Sequence, residues 1–199
     1  MYRITEGNNQ LRTDIGKHIW EKYVCEIIEE SGVYDEVYPE QSYVFSGSKS
    51  LSPDVLTRQG KHILFLDSKS TVPSIGIRIL KEYAIKRHIE AVAENIAKMY
   101  NQINRFKYYN PFKGEVSSDI NDYWGVVVVL EDSFISRDFY YKKAREMVKE
   151  EMSDVEFEWM RAHIKVASLY DIEHISLTGQ SIIDVCREAA EDQGTSYSF

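Results

Sequence analysis

The feature that most constrains this chain is a long amphipathic pattern between about Arg78 and Lys107. Apolar residues recur there at alternating steps of four and three positions: Ile85, Ile89, Val92, Ile96, Met99, Ile103 and Phe106. Such spacing places these side chains on one face of a helix, where they pack rather than bind a cofactor. The pattern therefore predicts a long helix whose apolar stripe faces the protein core.

A second strong pattern is the uninterrupted apolar run from Trp124 to Leu130. A strand with no polar alternation is covered on both faces, so it belongs in the interior of a mixed or parallel sheet. Other patterns predict helices at Thr13–Ser31, Arg137–Met152 and Gln180–Asp192, an extended region at Val33–Phe45, a loop at Ser46–Ser50, strands at Val55–Arg58, Lys61–Ser68 and Ile164–Leu169, and a loose tail at Gly194–Phe199. This order predicts a single α/β domain, residues 1–199, with a mixed central β-sheet flanked by helices.

The polar residues of chemical interest lie on the hairpin formed by Val55–Arg58 and Lys61–Ser68. A turn centred on Gln59-Gly60 pairs residue 58 with 61, and therefore residue 54 with 65. Because side chains alternate along a strand, Asp54, Asp67 and Lys69 then share one face of the hairpin. Diagonal neighbours of this kind lie about 7–8 Å apart, which lets two carboxylates converge on one ion.

Magnesium chemistry explains a polar trio at the end of an apolar strand. Mg²⁺ takes oxygen ligands and is usually held by one or two carboxylates together with waters and substrate phosphates. Asp54 and Asp67 supply the carboxylates, and the Ser68 carbonyl is a further candidate ligand. Lys69 is positioned to orient a water and to offset charge on a phosphate. The structural alternative makes Pro53-Asp54 a turn and Asp67/Lys69 an exposed ion pair.

Pro53-Asp54, followed after twelve residues by Asp67-Ser68-Lys69, resembles the signature of the PD-(D/E)xK nuclease superfamily, which includes many restriction endonucleases. The resemblance implies a restriction endonuclease-like αβββαβ core over about residues 13–131 and a C-terminal α/β extension over about 132–193. It also implies a catalytic, metal-ligating acidic residue on the first helix, for which the Gly16–Glu21 stretch offers Glu21. Glu26 lies on the same helix, and the plainer alternative for a glutamate there is a solvated surface residue. The implied activity is Mg²⁺-dependent cleavage of DNA, less often RNA, with Mn²⁺ as a substitute metal.

The charge distribution is compatible with a nucleic-acid partner, although the net charge is −8. Residues 41–113 carry a balance of +7, between flanks of −5 and −10. Phosphate binding depends on the local field, so a basic centre can bind DNA despite acidic flanks. The candidate substrate contacts are Ser48, Lys49, Arg78 and Lys81; the plainer alternative is that most such lysines and arginines form an ordinary solvated face.

Compartment and partners are constrained less strongly. Cys25 and Cys186 lack metal-ligand spacing and are interpreted as buried free thiols in a reducing compartment, so a cytoplasmic location is expected. No apolar run approaches the length of a membrane helix. Cutting both strands of a duplex often needs two active sites, which favours a homodimer, and a DNA-reading segment would lie on another chain or in a larger protein.

Three functions stay open from the sequence: a DNA endonuclease or exonuclease, an RNA-cutting nuclease on the same fold, and a non-catalytic module that binds nucleic acid or protein. Degenerate members of such a family usually lose a carboxylate or the lysine. This chain retains all of them, which argues against the third function.

Overall fold

A five-stranded mixed sheet carries helices on both faces. The computed structural model describes residues 16–69, 73–108, 120, 122–133, 135–148 and 151–192. Its strands are β1 (Glu36–Pro39), β2 (Ser42–Phe45), β3 (Ser48–Leu51), β4 (Val55–Gln59), β5 (His62–Lys69), β6 (Asp122–Val129) and β7 (Ile164–Ser168). A π-helical turn, Gly16–Glu21, leads into α1 (Lys22–Glu30), and the later helices are α2 (Ile75–Arg78), α3 (Glu82–Tyr108), α4 (Arg137–Met147), α5 (Asp154–His163), α6 (Leu169–Leu177) and α7 (Ile182–Asp192).

The strand order is β1-β4-β5-β6-β7, and β2 and β3 form a separate two-stranded sheet. The strands β5, β6 and β7 are parallel, whereas β4 is antiparallel to both β5 and β1. The mixed α/β fold predicted from the sequence is confirmed, and the fully apolar β6 lies between β5 and β7, as its composition requires.

Two apolar layers cover the sheet. One face of the sheet packs against α3, through side chains such as Ile96, Met99 and Ile103, and also carries aromatic residues of α4. The other face packs against α1, α6 and α7, with Val24 and Ile28 at its centre. None of the helices in the described part of the chain is long and apolar enough to cross a membrane.

The long helix approaches the sheet most closely at Gly125 in β6. A Cβ atom at this position would lie 2.8 Å from Met99 Cγ and 3.2 Å from Ile103 Cδ1. Real Cβ atoms do not come that close, so the observed spacing between α3 and β6 depends on a residue without a side chain.

The β4–β5 hairpin corrects the predicted register. Its turn is Gly60-Lys61, so Arg58 pairs with Ile63 and Val55 pairs with Leu66. Gly60 has a φ of 58° and takes the first central position, where a two-residue turn favours glycine. The predicted pairing is therefore displaced by two residues, which leaves every side chain on its predicted face but brings Asp54 opposite Asp67 rather than diagonal to it.

Several other boundaries differ from the prediction. The predicted loop at 46–50 contains only a short turn, and β3 follows it. The long helix begins at Glu82, after the separate α2 and a left-handed Leu80. Two helices, α5 and α6, were not predicted, although each begins with a capping box that uses a serine and an acidic residue three positions later. The predicted helix start at Thr13 and the tail at 194–199 lie outside the described residues.

Candidate active site

Asp54 is held at the entrance of β4 by the chain on either side of it. Ser52, two residues before Asp54, donates its backbone N–H to the Gln41 carbonyl (2.9 Å), and its Oγ accepts a hydrogen bond from the Gln41 N–H (2.8 Å). Asp54 Oδ2 accepts a hydrogen bond from the backbone N–H of Ser68 at 2.5 Å. The Ser52 bonds attach the Pro53-Asp54 segment to the connection between β1 and β2, and the Ser68 bond attaches it to the end of β5, so the two motif segments meet.

Asp67 lies at the same end of the sheet and is almost completely buried, with 1% of its surface exposed. Its Oδ2 lies 3.0 Å from Lys69 Nζ and 3.6 Å from Lys98 Nζ. Both are ion-pair contacts outside hydrogen-bonding alignment, and Oδ1 accepts no hydrogen bond from any residue that the structure describes. Burying a carboxylate oxygen without a donor is costly, and proteins retain such an atom where something else binds it.

The pKa values of the site reflect two crowded carboxylates. Burial, and then the negative charge of Asp67, raise the pKa of Asp54 to about 7, against the opposing effects of Lys69 and the Ser68 N–H. Burial lowers the pKa of Lys69, but the charges of Asp67 and Asp54 outweigh it and leave that pKa raised. The Lys69 ammonium therefore stays charged, whereas Asp54 is poised to gain or lose a proton near neutral pH.

This donor set fits a divalent cation with oxygen ligands. Two carboxylates that repel each other, one with an oxygen lacking any hydrogen bond, are the groups that a hard cation neutralises. In the described part of the chain, no group of three or more His, Cys, Asp or Glu side chains is arranged to hold a metal. The fit therefore rests on the Asp54–Asp67 pair.

The remaining predicted site residues occupy different positions. Glu21 ends the π-helical turn, and its charge raises the pKa of both Asp54 and Lys69, so it lies within electrostatic range of the site. Ser68 follows Asp67 directly and donates to Asp54. Ser48 and Lys49 are exposed in β3, ahead of Asp54.

The two basic candidates in or near α2, Arg78 and Lys81, contact side chains other than the carboxylate pair. Arg78 forms a 2.8 Å ion pair with Glu131. Lys81 lies over the ring of Tyr83, 6.0 Å from its centroid.

Lys98 was not selected as a site residue from the sequence, yet its Nζ contacts Asp67. It is one of several exposed basic residues of α3, among them Lys86, Arg87 and Arg105. No local signal distinguishes it, because its contact arises from the way α3 crosses the end of β5.

One solved structure shows a weak likeness to this chain. The crystal structure of the small subunit of the heterodimeric restriction endonuclease R.BspD6I is similar with a TM-score of 0.38 and 10% sequence identity. The similarity covers 86% of this chain and 76% of that one. No family model matches the chain, and no curated protein matches it.

Proposed function

We propose that this protein is a divalent-metal-dependent nuclease that hydrolyses phosphodiester bonds, with DNA as its substrate and an endonucleolytic mode of cutting. The observation that carries the proposal is the buried Asp67 carboxylate, which has an oxygen without a hydrogen-bond donor and lies beside Asp54 and two lysines. The Pro53-Asp54 and Asp67-Ser68-Lys69 motif supports the same assignment.

Each residue has a role that its surroundings favour. Asp54 and Asp67 would hold Mg²⁺ or Mn²⁺, with the Ser68 carbonyl as a further ligand, and Glu21 would add negative charge from the π-helical turn before the first helix. When bound, Mg²⁺ supplies Lewis-acid stabilisation to the phosphodiester and makes water a stronger nucleophile. Lys69, charged and 28% exposed, orients that water and stabilises the negative charge that builds on the phosphate.

Cleavage assays on purified protein test this proposal. Duplex DNA, single-stranded DNA and RNA are each incubated with Mg²⁺, Mn²⁺ or a chelator, and we expect metal-dependent cleavage of DNA. Asp67→Asn and Lys69→Ala should each lower the rate by about a thousandfold, equivalent to about 4 kcal/mol of lost transition-state stabilisation. Glu21→Gln should have a smaller effect, because it acts at longer range.

Asp122→Asn is the matched control, since Asp122 is a half-buried aspartate at the opposite end of β6 with its own hydrogen bonds. It should cut DNA at the parent rate. If Asp67→Asn and Lys69→Ala cut like the parent, the site assignment is wrong. If RNA is cut and DNA is not, the substrate assignment is wrong.

A further inference from the structure

One stripe of polar side chains on α3 begins beside Asp67 and continues towards the C-terminal end of the helix. Lys98, Gln102 and Arg105 are spaced four and three residues apart, so they project from the same face of the helix. Glu94, one turn before Lys98, is exposed and marks where the basic character of this face begins. The stripe occupies the second half of α3, next to the site.

The stripe extends from Asp67 to the β2–β3 hairpin. At its first end, the Lys98 ammonium lies 3.6 Å from Asp67 Oδ2. At its other end it meets the β2–β3 hairpin: Gln102 Nε2 donates to the Leu51 carbonyl at 3.5 Å, and the Arg105 guanidinium lies 5.6 Å from the centre of the Phe45 ring. The hairpin that precedes Asp54 is therefore anchored on the same helix face that carries Lys98.

The hairpin has two unlike faces. Tyr43, Phe45 and Ser50 are half-buried on one side, and Arg105 acts electrostatically on the Tyr43 hydroxyl, whose pKa burial raises. Val44 and Lys49 lie directly opposite each other on the exposed side. The half-buried side thus covers the far end of the stripe, and Lys49 adds a cation on the outer side.

The two cations of the stripe are accessible to a ligand. Lys98 is half exposed, at 51% of its side chain, and Arg105 is exposed. Among the described residues, Arg105 forms no ion pair with a carboxylate, and the buried Gln102 Oε1 accepts no hydrogen bond. An exposed arginine without a carboxylate partner, together with a half-exposed lysine whose contact with Asp67 is 3.6 Å long, suits the phosphates of a polyanion.

We propose that Lys98 and Arg105 form a track for the backbone of a polynucleotide and deliver it to the carboxylate pair, beside the anchored β2–β3 hairpin. Lys98 contacts the phosphate at or beside the bond that is cut, because its amine already lies at Asp67. Arg105 contacts a phosphate further along the same strand. This inference rests on the proposed function and names the surface that binds the substrate.

The spacing suits a nucleic-acid strand. Seven residues of α-helix span about 10 Å. Phosphates of one strand of a duplex are separated by about 3.4 Å along its axis, so the two cations would contact phosphates about three nucleotides apart. A ligand with a single phosphate cannot reach both cations, which makes the proposed partner a polymer rather than a nucleotide.

The test is equilibrium binding of a fluorescently labelled oligonucleotide to the intact chain in chelator, measured by anisotropy at several salt concentrations. The variants are Lys98→Ala, Arg105→Ala and their combination. Lys86→Ala is the matched control, because Lys86 is an exposed lysine on the same helix, about 120° away from the stripe. The changed side chains are exposed, and a thermal melt of each variant checks that the fold is retained.

We expect each single variant to bind about fivefold to tenfold more weakly than the parent. The slope of log affinity against log salt should fall by about 1 in each single variant and by about 2 in the double variant. The control should keep the parent slope. Single-stranded DNA, duplex DNA and RNA arms identify which polynucleotide gives the largest difference.

If Lys98→Ala and Arg105→Ala bind like Lys86→Ala on every polynucleotide, the track is wrong even where the parent cuts DNA. If the parent binds through this stripe and cuts nothing with any metal, the track stands and the nuclease proposal fails. The two proposals are therefore separable by one set of proteins.

Discussion

The two ends of the central strands each carry a half- or fully buried aspartate next to cations, but their hydrogen bonding differs. At one end, Asp67 of β5 has only ammonium contacts and an oxygen without a donor. At the other end, Asp122 of β6 has Oδ2 within 2.8 Å of both His62 Nδ1 and Trp124 Nε1. The first carboxylate is held by charge alone, and the second by aligned neighbours.

The Asp122 end is filled by stacked rings. His163 stacks between Trp124 and Trp159, with ring centroids 4.7 Å and 4.6 Å apart. The Lys107 ammonium lies 3.7 Å from the centre of the Trp159 ring and completes the stack. His163 is therefore packed between two indole rings, as a structural residue is.

Hydrogen bonding thus distinguishes a structural aspartate from a candidate metal ligand. A network whose members satisfy one another contributes stability and leaves no valence for a substrate. Two buried carboxylates that raise each other's energy lower the stability of the empty protein and are retained where a cation compensates them. Removing a charge from the Asp54–Asp67 pair should therefore stabilise the empty protein and weaken binding of a cation. Removing Asp122 should lower stability and leave cation binding unchanged.

The largest effect is expected at Asp54 in the metal-free protein. Its pKa is raised from 3.8 to about 7 in the folded state, so the folded protein keeps a proton that the unfolded chain loses above about pH 4. The contribution of Asp54 to stability therefore falls as the pH rises from about 4 to about 7 and stays constant above that range. Asp54→Asn removes this loss and should stabilise the protein by about 2 to 4 kcal/mol at pH 8 in chelator.

Urea unfolding at pH 5 and pH 8 measures this effect, since the difference between variant and parent should be much smaller at pH 5. The same variant should lose cleavage. A variant that is less stable than the parent at pH 8 would show that Asp54 is not a destabilised carboxylate.

The next effect concerns the ion itself. Mg²⁺ at about a hundred times its dissociation constant should raise the free energy of unfolding of the parent by about 2.7 kcal/mol, because it binds only the folded state. Asp67→Asn should lose this stabilisation, and Asp122→Asn should retain it. Thermal melts at constant ionic strength, with and without Mg²⁺, provide the measurement. Equal stabilisation of both variants would place the ion elsewhere.

The smallest effect is expected at the satisfied end. Asp122→Ala leaves the buried Trp124 N–H without its acceptor and should cost about 1 to 2 kcal/mol of stability, measured by urea unfolding. Asp122→Asn, which keeps an acceptor, should cost less. Cleavage by the folded variants should match the parent, and a folded Asp122→Ala protein without cleavage would contradict the distinction between the two ends.

Much of the fold could be predicted from periodicity, because the signals are local. The apolar stripe of α3 specifies a helix and its buried face, and the unbroken apolar run of β6 specifies a strand buried on both faces. Both signals lie within the element itself. The shared face of Asp54, Asp67 and Lys69 also follows from alternation alone, and it survived the wrong turn because the register error was an even number of residues.

The parts that escaped prediction depend on tertiary contacts or on overlooked caps. The contact between Lys98 and Asp67 joins a helix to a strand far away in sequence, and nothing near Lys98 encodes where α3 crosses the sheet. The helix starts at Ser153 and Ser168 were visible as a serine followed by an acidic residue three positions on, but the apolar periodicity around them was weak.

The absence of a side chain at Gly125 affects how closely Lys98 approaches Asp67, near the C-terminal end of β5. Met99, the side chain that a methyl group at 125 would strike, follows Lys98 directly in the chain. A bulkier residue in β6 would lift the helix and carry the lysine amine away from its aspartate. A position with no functional group of its own thus sets how closely Lys98 approaches Asp67. In the proposed nuclease it would also set the space open to a substrate phosphate.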